Sequence, residues 1–268
     1  MQKQVAAIHD LSGYGLCSLG VALPVLTAMQ AYVCALPTAY LSSHTGYPNF
    51  TFEDMTQAMN PALDHWRDLG LKFDAVYSGF LGSAEQIAIV ARAVEMFKPE
   101  VAIIDPVMGD DGKVYKTYTP EMCDNMRKLI ESATVITPNV TEAAILLGKE
   151  PSAQPTREEL RDWLVRLSGG KRDVVLTGIR NAQRVEVWCY EYRTGQVTVI
   201  ERGYVGRAYH GTGDLYSSVL LGWLLRGQSL CQAAENAADF VMHAAAYTHQ
   251  NYPDSGDIAF SPELRRII

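Results

Sequence analysis

No Gly-x-x-x-x-Gly-Lys-Ser/Thr tract occurs in this sequence, which excludes a P-loop nucleotide site in its usual form. No Cys-x-x-Cys pair occurs either. The five cysteines (Cys17, Cys34, Cys123, Cys189 and Cys231) are scattered and odd in number, so neither a zinc site nor a disulfide framework is suggested. No apolar run is long enough to span a membrane, and the short run that ends at His9-Asp10 is too brief for a signal-peptide core. A reduced cytoplasm is therefore the expected location. Positive charge is also in deficit, with 23 Lys and Arg against 30 Asp and Glu and a net charge of −7. Such a surface repels phosphate backbones, so neither nucleic acid nor membrane is expected as a partner. It leaves open a small anion held in one local positive pocket. Internal repeats, low-complexity tracts and linkers are absent, and the 268 residues are expected to form a single domain, 1–268.

What is present is an alternation of short β-branched runs with longer segments of helical apolar spacing. Strands are expected at Val5–Ile8, Tyr32–Leu36, Ala75–Ser78, Val101–Ile104, Thr134–Thr137 and Val174–Thr177. Several are continuously apolar, as parallel strands buried on both faces must be. Between them, Ser83 with Gln86, Thr156 with Glu159 and Ser229 with Gln232 have capping-box spacing. Thr119-Pro120-Glu121 supplies a cap, a first-turn proline and an early acid. The expected fold class is α/β, a central, mostly parallel sheet with helices on both faces. Val185–Tyr192 and Gln196–Arg202, joined by Arg193-Thr194-Gly195, add a small antiparallel hairpin, and Ala39–Phe52 reads as a long loop.

In open parallel sheets, ligands bind beyond the carboxyl ends of the strands. Glycine and polar residues collect on that edge, and the strongest tract there is His210-Gly211-Thr212-Gly213-Asp214, directly before an apolar helical segment. Glycines free the backbone N–H groups to face an anion, and the helix dipole adds to the attraction. A carboxylate placed there is repulsive unless it has a chemical task, and Asp214 suits that of a general base. The tract alone equally fits a tight turn with an ordinary helix-start acid. Asp105 and Glu142, with Asn139, could hold a hydrated magnesium ion; the plainer reading is that Asn139 and Glu142 cap the following helix, which for Asn139 alone fits equally well. Asp110 and Asp111 read as a solvated turn, and His243 and His249 as packed or surface residues. Gly13-x-Gly15 begins a dinucleotide fingerprint but has Ser18 where the third glycine belongs; on its strength a nicotinamide-dependent oxidoreductase is carried as a rival from another class.

Five tracts together resemble the ribokinase-like superfamily, specifically its pyridoxal and pyridoxamine kinases. They are Ser43-His44-Thr45-Gly46-Tyr47, the run from Asp74 to Ser83, Asp105-Pro106-Val107-Met108-Gly109, the run from Ile136 to Glu142, and Gly211-Thr212-Gly213-Asp214. The resemblance implies a ribokinase-like fold and ATP-dependent phosphorylation of the hydroxymethyl group of a B6 vitamer. It implies Asp214 as the base and Gly211, Thr212 and Gly213 as the anion hole and part of the ATP site. Asn139 and Glu142 match its magnesium-ordering Asn-x-x-Glu, and Asp105, Thr137 and Thr177 match nucleotide- and metal-side positions. Thr45 and Tyr47 fall where the vitamer ring is held, on a segment that covers the site, and Phe80 and Asp10 fall on the same side. ATP and Mg2+ are the implied cofactors, with room for a monovalent cation such as K+, and a homodimer is the implied assembly. One departure stands out. Asp10-Leu11-Ser12-Gly13 is closer to hydroxymethylpyrimidine kinases, whereas many pyridoxal kinases place serine at position 10. Phosphorylation of hydroxymethylpyrimidine is therefore the nearest alternative, and a vitamer- or nucleotide-binding protein without catalysis is a further one.

Overall fold

The computed structural model describes residues 2–180 and 183–268. The chain order is β1 (Gln4–Ser12), α1 (Leu19–Ala28), β2 (Tyr32–Leu41), β3 (Phe52–Asp54), α2 (Thr56–Asp68), β4 (Ala75–Ser78), α3 (Ala84–Phe97), β5 (Val101–Ile104), β6 (Gly109–Asp110), β7 (Lys113–Val114), α4 (Pro120–Leu129), β8 (Val135–Ile136), α5 (Val140–Leu146), α6 (Arg157–Ser168), β9 (Asp173–Arg180), β10 (Arg184–Glu191), β11 (Gln196–Gly203), α7 (Thr212–Leu225) and α8 (Leu230–Asn251). Short 3₁₀ turns cover Ile130–Ser132 and Ser261–Arg266. One nine-stranded sheet runs in the order β11-β10-β9-β8-β5-β4-β1-β2-β3. Within it β2, β1, β4, β5, β8 and β9 are mutually parallel. The β10–β11 hairpin is antiparallel at one edge, as its sequence predicts, and β3 is antiparallel at the other.

The strand side chains divide by the two-residue period of the pleat. Ala6, Ile8, Val76, Ile104 and Leu176 belong to a core closed by α2 through α6. Val5, Ala75, Tyr77, Ile103 and Val175 belong to a second core closed by α1, α7 and α8. Both faces of the parallel strands are therefore dry, which explains their unbroken apolar runs. Among the described residues no helix is long and apolar enough to cross a membrane.

Two local expectations need correction. Ala39–Phe52 is not all loop: Ala39, Tyr40 and Leu41 continue β2 and pair with Asp54, Glu53 and Phe52 of β3. Ser, Asn, Gly and Pro dominate only the connecting stretch, and their composition masked the pairing on either side of it. Ser83 accepts from the Gln86 N–H, but Gln86 does not return the bond to Ser83. Its buried amide instead accepts from Gly82 N–H at 2.7 Å and donates to the Thr38 carbonyl at 2.8 Å. Burial gave this side chain a better-shielded partner than the cap. The boxes at Thr156–Glu159 and Ser229–Gln232 form as predicted.

Candidate active site

The glycine tract does open a helix. His210 N donates to the Gly256 carbonyl at 2.8 Å, and Ile258 N donates to the His210 carbonyl at 3.1 Å, which fixes the approach to α7. Gly211 follows with φ 83°, and a Cβ built there would lie 2.0 Å from the Leu16 carbonyl oxygen. Both the left-handed conformation and the close approach demand glycine. The first intrahelical bond runs from Leu215 N to the Gly211 carbonyl, so the N–H groups of Thr212, Gly213 and Asp214 have no helical acceptor. Gly211 through Asp214 line a cavity of about 660 Å³. An anion bound there gains these donors and the dipole together.

Asp214 accepts a bond from Ser18 N at 2.9 Å. Burial lifts its carboxyl to about 7, with the Ser18 N–H opposing the rise and the charge of Asp10 adding to it. A base poised near neutrality combines availability with proton affinity.

Asp10 enters the same cavity from β1. The β1–β2 register shifts between His9 and Leu11, leaving Thr38 and Ala39 opposite Asp10 alone. Such a bulge re-aims a side chain at the end of a strand. Ser18 Oγ donates to Asp10 Oδ1, and Ser12 Oγ donates to Oδ2 at 3.3 Å. Burial raises the Asp10 carboxyl, while these two hydroxyls lower it. Ser18 thus ties Asp10 to Asp214, one through its hydroxyl and the other through its N–H. Its φ of 50° shows why the third fingerprint position looked wrong: the conformation is the one glycine favours, yet the hydroxyl is used. Sequence reasoning missed this role, and the near-miss glycine pattern was its one trace.

Asp105, from the end of β5, and Thr137, after β8, meet α7 at Ser217. Ser217 Oγ lies 3.2 Å from Asp105 Oδ2 and 3.1 Å from Thr137 Oγ1. Asn139 and Glu142 form a reciprocal capping box on α5, each bond 2.9 Å long. Glu142 Oε1 also accepts from Met108 N at 3.1 Å, and Asn139 Nδ2 donates to the Gly109 carbonyl at 2.8 Å. The cap and the metal-side reading therefore concern the same atoms, and both residues line the cavity. Burial, then the charge of Asp214, lifts Asp105 to about 8. Burial, then the charge of Asp105, raises Glu142 as well. Buried carboxylates that repel one another fit a cation. Among the described residues Asp105 is partnered by the Ser217 and Thr137 hydroxyls alone, whereas both Glu142 oxygens accept backbone N–H groups, which suits contact through water for Glu142.

That repulsion gives a stability test. A folded Asp105 holds its proton to about 8 and an unfolded one to about 3.8. The folded state binds the extra proton between those values, so stability falls as pH rises through that window. Asp105→Asn has no proton to lose. In metal-free buffer its melting temperature is expected to exceed wild type by at least about 3 °C near pH 7.5, at roughly 2–4 °C per kcal/mol for a chain of this size. The difference should close toward about pH 4. An unchanged or lower melting temperature near pH 7.5 overturns the charge-burial account.

Thr45 and Phe80 line the cavity beside Asp10. Thr177 lines it as well, its N–H bonded to the Pro138 carbonyl at 2.9 Å. Tyr47 does not line it; its hydroxyl donates to Asp257 Oδ2 at 3.2 Å. The far end is apolar, formed by Val185, Val187 and Ile200 of the hairpin against Ala238, Val241 and Met242 of α8. Lys116, Arg180 and Arg207 sit on the walls, a local positive lining in an acidic chain. The site is thus a carboxylate-rich pocket, an anion turn and an apolar slot in one continuous cavity.

The model of the family described as phosphomethylpyrimidine kinase matches residues 23–258. The chain belongs to this family. A pyridoxine/pyridoxal/pyridoxamine kinase from Bordetella bronchiseptica is 30% identical over 277 residues, covering 97% of this chain and 94% of the relative. A Bacteroides thetaiotaomicron protein assigned to the phosphomethylpyrimidine kinases and crystallised with pyridoxal superposes with a TM-score of 0.94 at 37% identity, covering 100% of this chain and 96% of that one. Pyridoxal kinase from Lactobacillus plantarum superposes at 0.92 with 32% identity, covering 100% and 97%. The phosphomethylpyrimidine and pyridoxal kinases thus share this ribokinase-like fold with the chain.

Proposed function

We propose that this protein transfers the γ-phosphoryl group of ATP to the hydroxymethyl oxygen of pyridoxal, pyridoxine or pyridoxamine. The observation that carries the reading is Asp214, a desolvated carboxyl lifted to about 7 and set within the turn that offers three unpaired N–H groups. A hydroxymethyl group resting against Asp214 gives up its proton as its oxygen attacks phosphorus, and the anion turn takes the charge spread over the migrating group. Asp10, Thr45 and Phe80 hold the ring at one end of the cavity, and the apolar slot between β10–β11 and α8 receives the adenine. Lys116, Arg180 and Arg207 accompany the phosphates between them. Asp105 would hold magnesium directly, with Asn139, Thr137 and Glu142 ordering its waters; the ion's contribution when bound is to neutralise phosphate charge. A monovalent cation such as K+ belongs to the same reading of the phosphate side. So do a cytoplasmic setting and a homodimer, the latter supported by Tyr32, Tyr40 and Phe52, which expose 58, 47 and 43% of their surface on the β2–β3 edge.

Asp10 supports a second reading, phosphorylation of hydroxymethylpyrimidine. A buried carboxylate that accepts two hydroxyl bonds favours a ring carrying a protonated nitrogen or an amino group, which an aminopyrimidine also supplies. ADP release measured over pyridoxal, pyridoxine, pyridoxamine and hydroxymethylpyrimidine separates them. Turnover of the B6 vitamers is expected. Rapid pyrimidine turnover with none of the vitamers overturns the first reading, and silence over all four returns the chain to a binding role.

A further inference from the structure

Three features outside the catalytic groups converge on Asp257, in the segment after α8. Its carboxylate takes the His44 ring at 2.7 Å through Nε2, and it accepts the Tyr47 hydroxyl at 3.2 Å. His44 Nδ1 accepts from the Gly46 N–H at 3.0 Å, so the imidazole proton resides on Nε2 and is donated to Asp257. The backbone on either side of Asp257 is tied to His210, the residue before the anion turn, by Gly256 O and Ile258 N. The His44 and His210 rings lie 4.6 Å apart, centroid to centroid. The packing leaves the His44 ring no slack. A Cβ on Gly15 would sit 2.1 Å from its Cδ2, and one on Gly46 would sit 2.8 Å from both His44 Cε1 and His210 Nε2.

We infer that Asp257 is a positioning residue, a clasp that registers the segment from Ser43 to Tyr47 against the anion turn. The segment carries Thr45 into the cavity, while its two neighbours, His44 and Tyr47, anchor on one carboxylate. Because the residues flanking that carboxylate, Gly256 and Ile258, are bonded to the His210 backbone, closing the cavity over a ring also fixes the approach to Gly211. Enclosure and phosphoryl positioning become one event. This keeps the phosphoryl group from water until an acceptor is enclosed. The inference rests on the proposed kinase reading for its catalytic consequence but not for the clasp itself.

Two measurements test it separately. Hydrogen–deuterium exchange on the ligand-free protein needs no substrate. In Asp257→Ala, the amides of Gly46 and Tyr47 are expected to exchange at least about tenfold faster, with those of β1, β4 and β5 unchanged, because their acceptors on His44 lose their anchor. Unchanged exchange overturns the clasp whatever the substrate. In the kinase assay, Asp257→Ala is expected to lose about 10- to 100-fold in kcat/KM for pyridoxal, the range for removing a charge-assisted partner, with the KM for ATP within about twofold. ADP should then exceed pyridoxal phosphate formed, since an unregistered segment admits water. Tyr47→Phe should cost activity in the wild-type background and almost none beside Asp257→Ala. Losses that multiply, with ADP and product still equal, overturn the coupling. Asp257→Asn keeps the side chain's shape, and the same readouts apply to it if the alanine variant fails to fold. No turnover of pyridoxal by the wild-type protein would count against the proposed function alone, leaving the exchange result to decide the clasp.

Discussion

Asp214→Asn is expected to lower kcat by about 100- to 10,000-fold, the usual cost of removing a positioned base, while ATP affinity stays within about threefold. The amide oxygen can still accept from Ser18 N, which lies 2.9 Å from the native carboxylate, so the turn keeps its shape. What is lost, on the proposed function, is the group that would take the hydroxymethyl proton. The pH profile identifies the same group. With the carboxyl lifted to about 7, the base form dominates above that value and is depleted below it. Wild-type kcat/KM should therefore fall about tenfold per unit on the acid side and level off on the alkaline side. The residual activity of the asparagine variant should lack that limb. Removing a desolvated charge does not weaken the fold, so its melting temperature should equal or exceed wild type at neutral pH. Wild-type turnover by this variant would falsify the assignment of Asp214 as base.

Gly211→Ala is expected to damage both fold and catalysis. The new methyl would meet the Leu16 carbonyl oxygen at 2.0 Å, and the residue sits at φ 83°, where a side chain is strained by itself. The Leu16 carbonyl is backbone and not the far end of a flexible side chain, so the turn must move as a unit. A loss of roughly 1–3 kcal/mol in stability follows from the backbone strain alone. Because Leu16 leads directly to Ser18, the shift should also disturb the donor to Asp214 and lower kcat by about 100-fold or more, the size of effect seen when an oxyanion donor is misplaced. Gly213→Ala supplies the contrast. A Cβ there meets nothing within 4 Å, so the fold should be kept, while the methyl intrudes where the phosphoryl group would sit. A melting temperature for Gly211→Ala equal to that of Gly213→Ala would overturn this account.

The strands were legible where they are buried on both faces. Ala75–Ser78 and Val101–Ile104 fall on the residues their composition predicts, because a parallel strand between two helical layers is buried on both faces and runs almost continuously apolar. Edge elements were less legible. β3 is three exposed residues, too short for its sequence to carry an alternating apolar pattern, and only its pairing with Ala39–Leu41 defines it. The local part of a side chain's task was also readable: Asn139 and Glu142 have capping-box spacing, and they form that box, whereas their bonds to Gly109 and Met108 were not. Gln86 had the same spacing and took another partner, because its amide is buried beside the Thr38 carbonyl.

The candidate site divides along the same line. Sequence by itself determined that Gly211–Asp214 opens a helix, that strand ends carry Asp10 and Asp105, and that the sheet is parallel at its centre. These follow from local periods and from glycine's conformational range, which extend over a few residues. Only the tertiary structure decided that Ser18 holds both Asp10 and Asp214, the second contact spanning 196 positions. It alone brought Ser217 to Asp105 across 112 positions and His44 to Asp257 across 213. Such partners are chosen by the order of strands in the sheet and by which helix covers which face. No local spacing encodes that order, because it emerges only when every apolar face is buried at once.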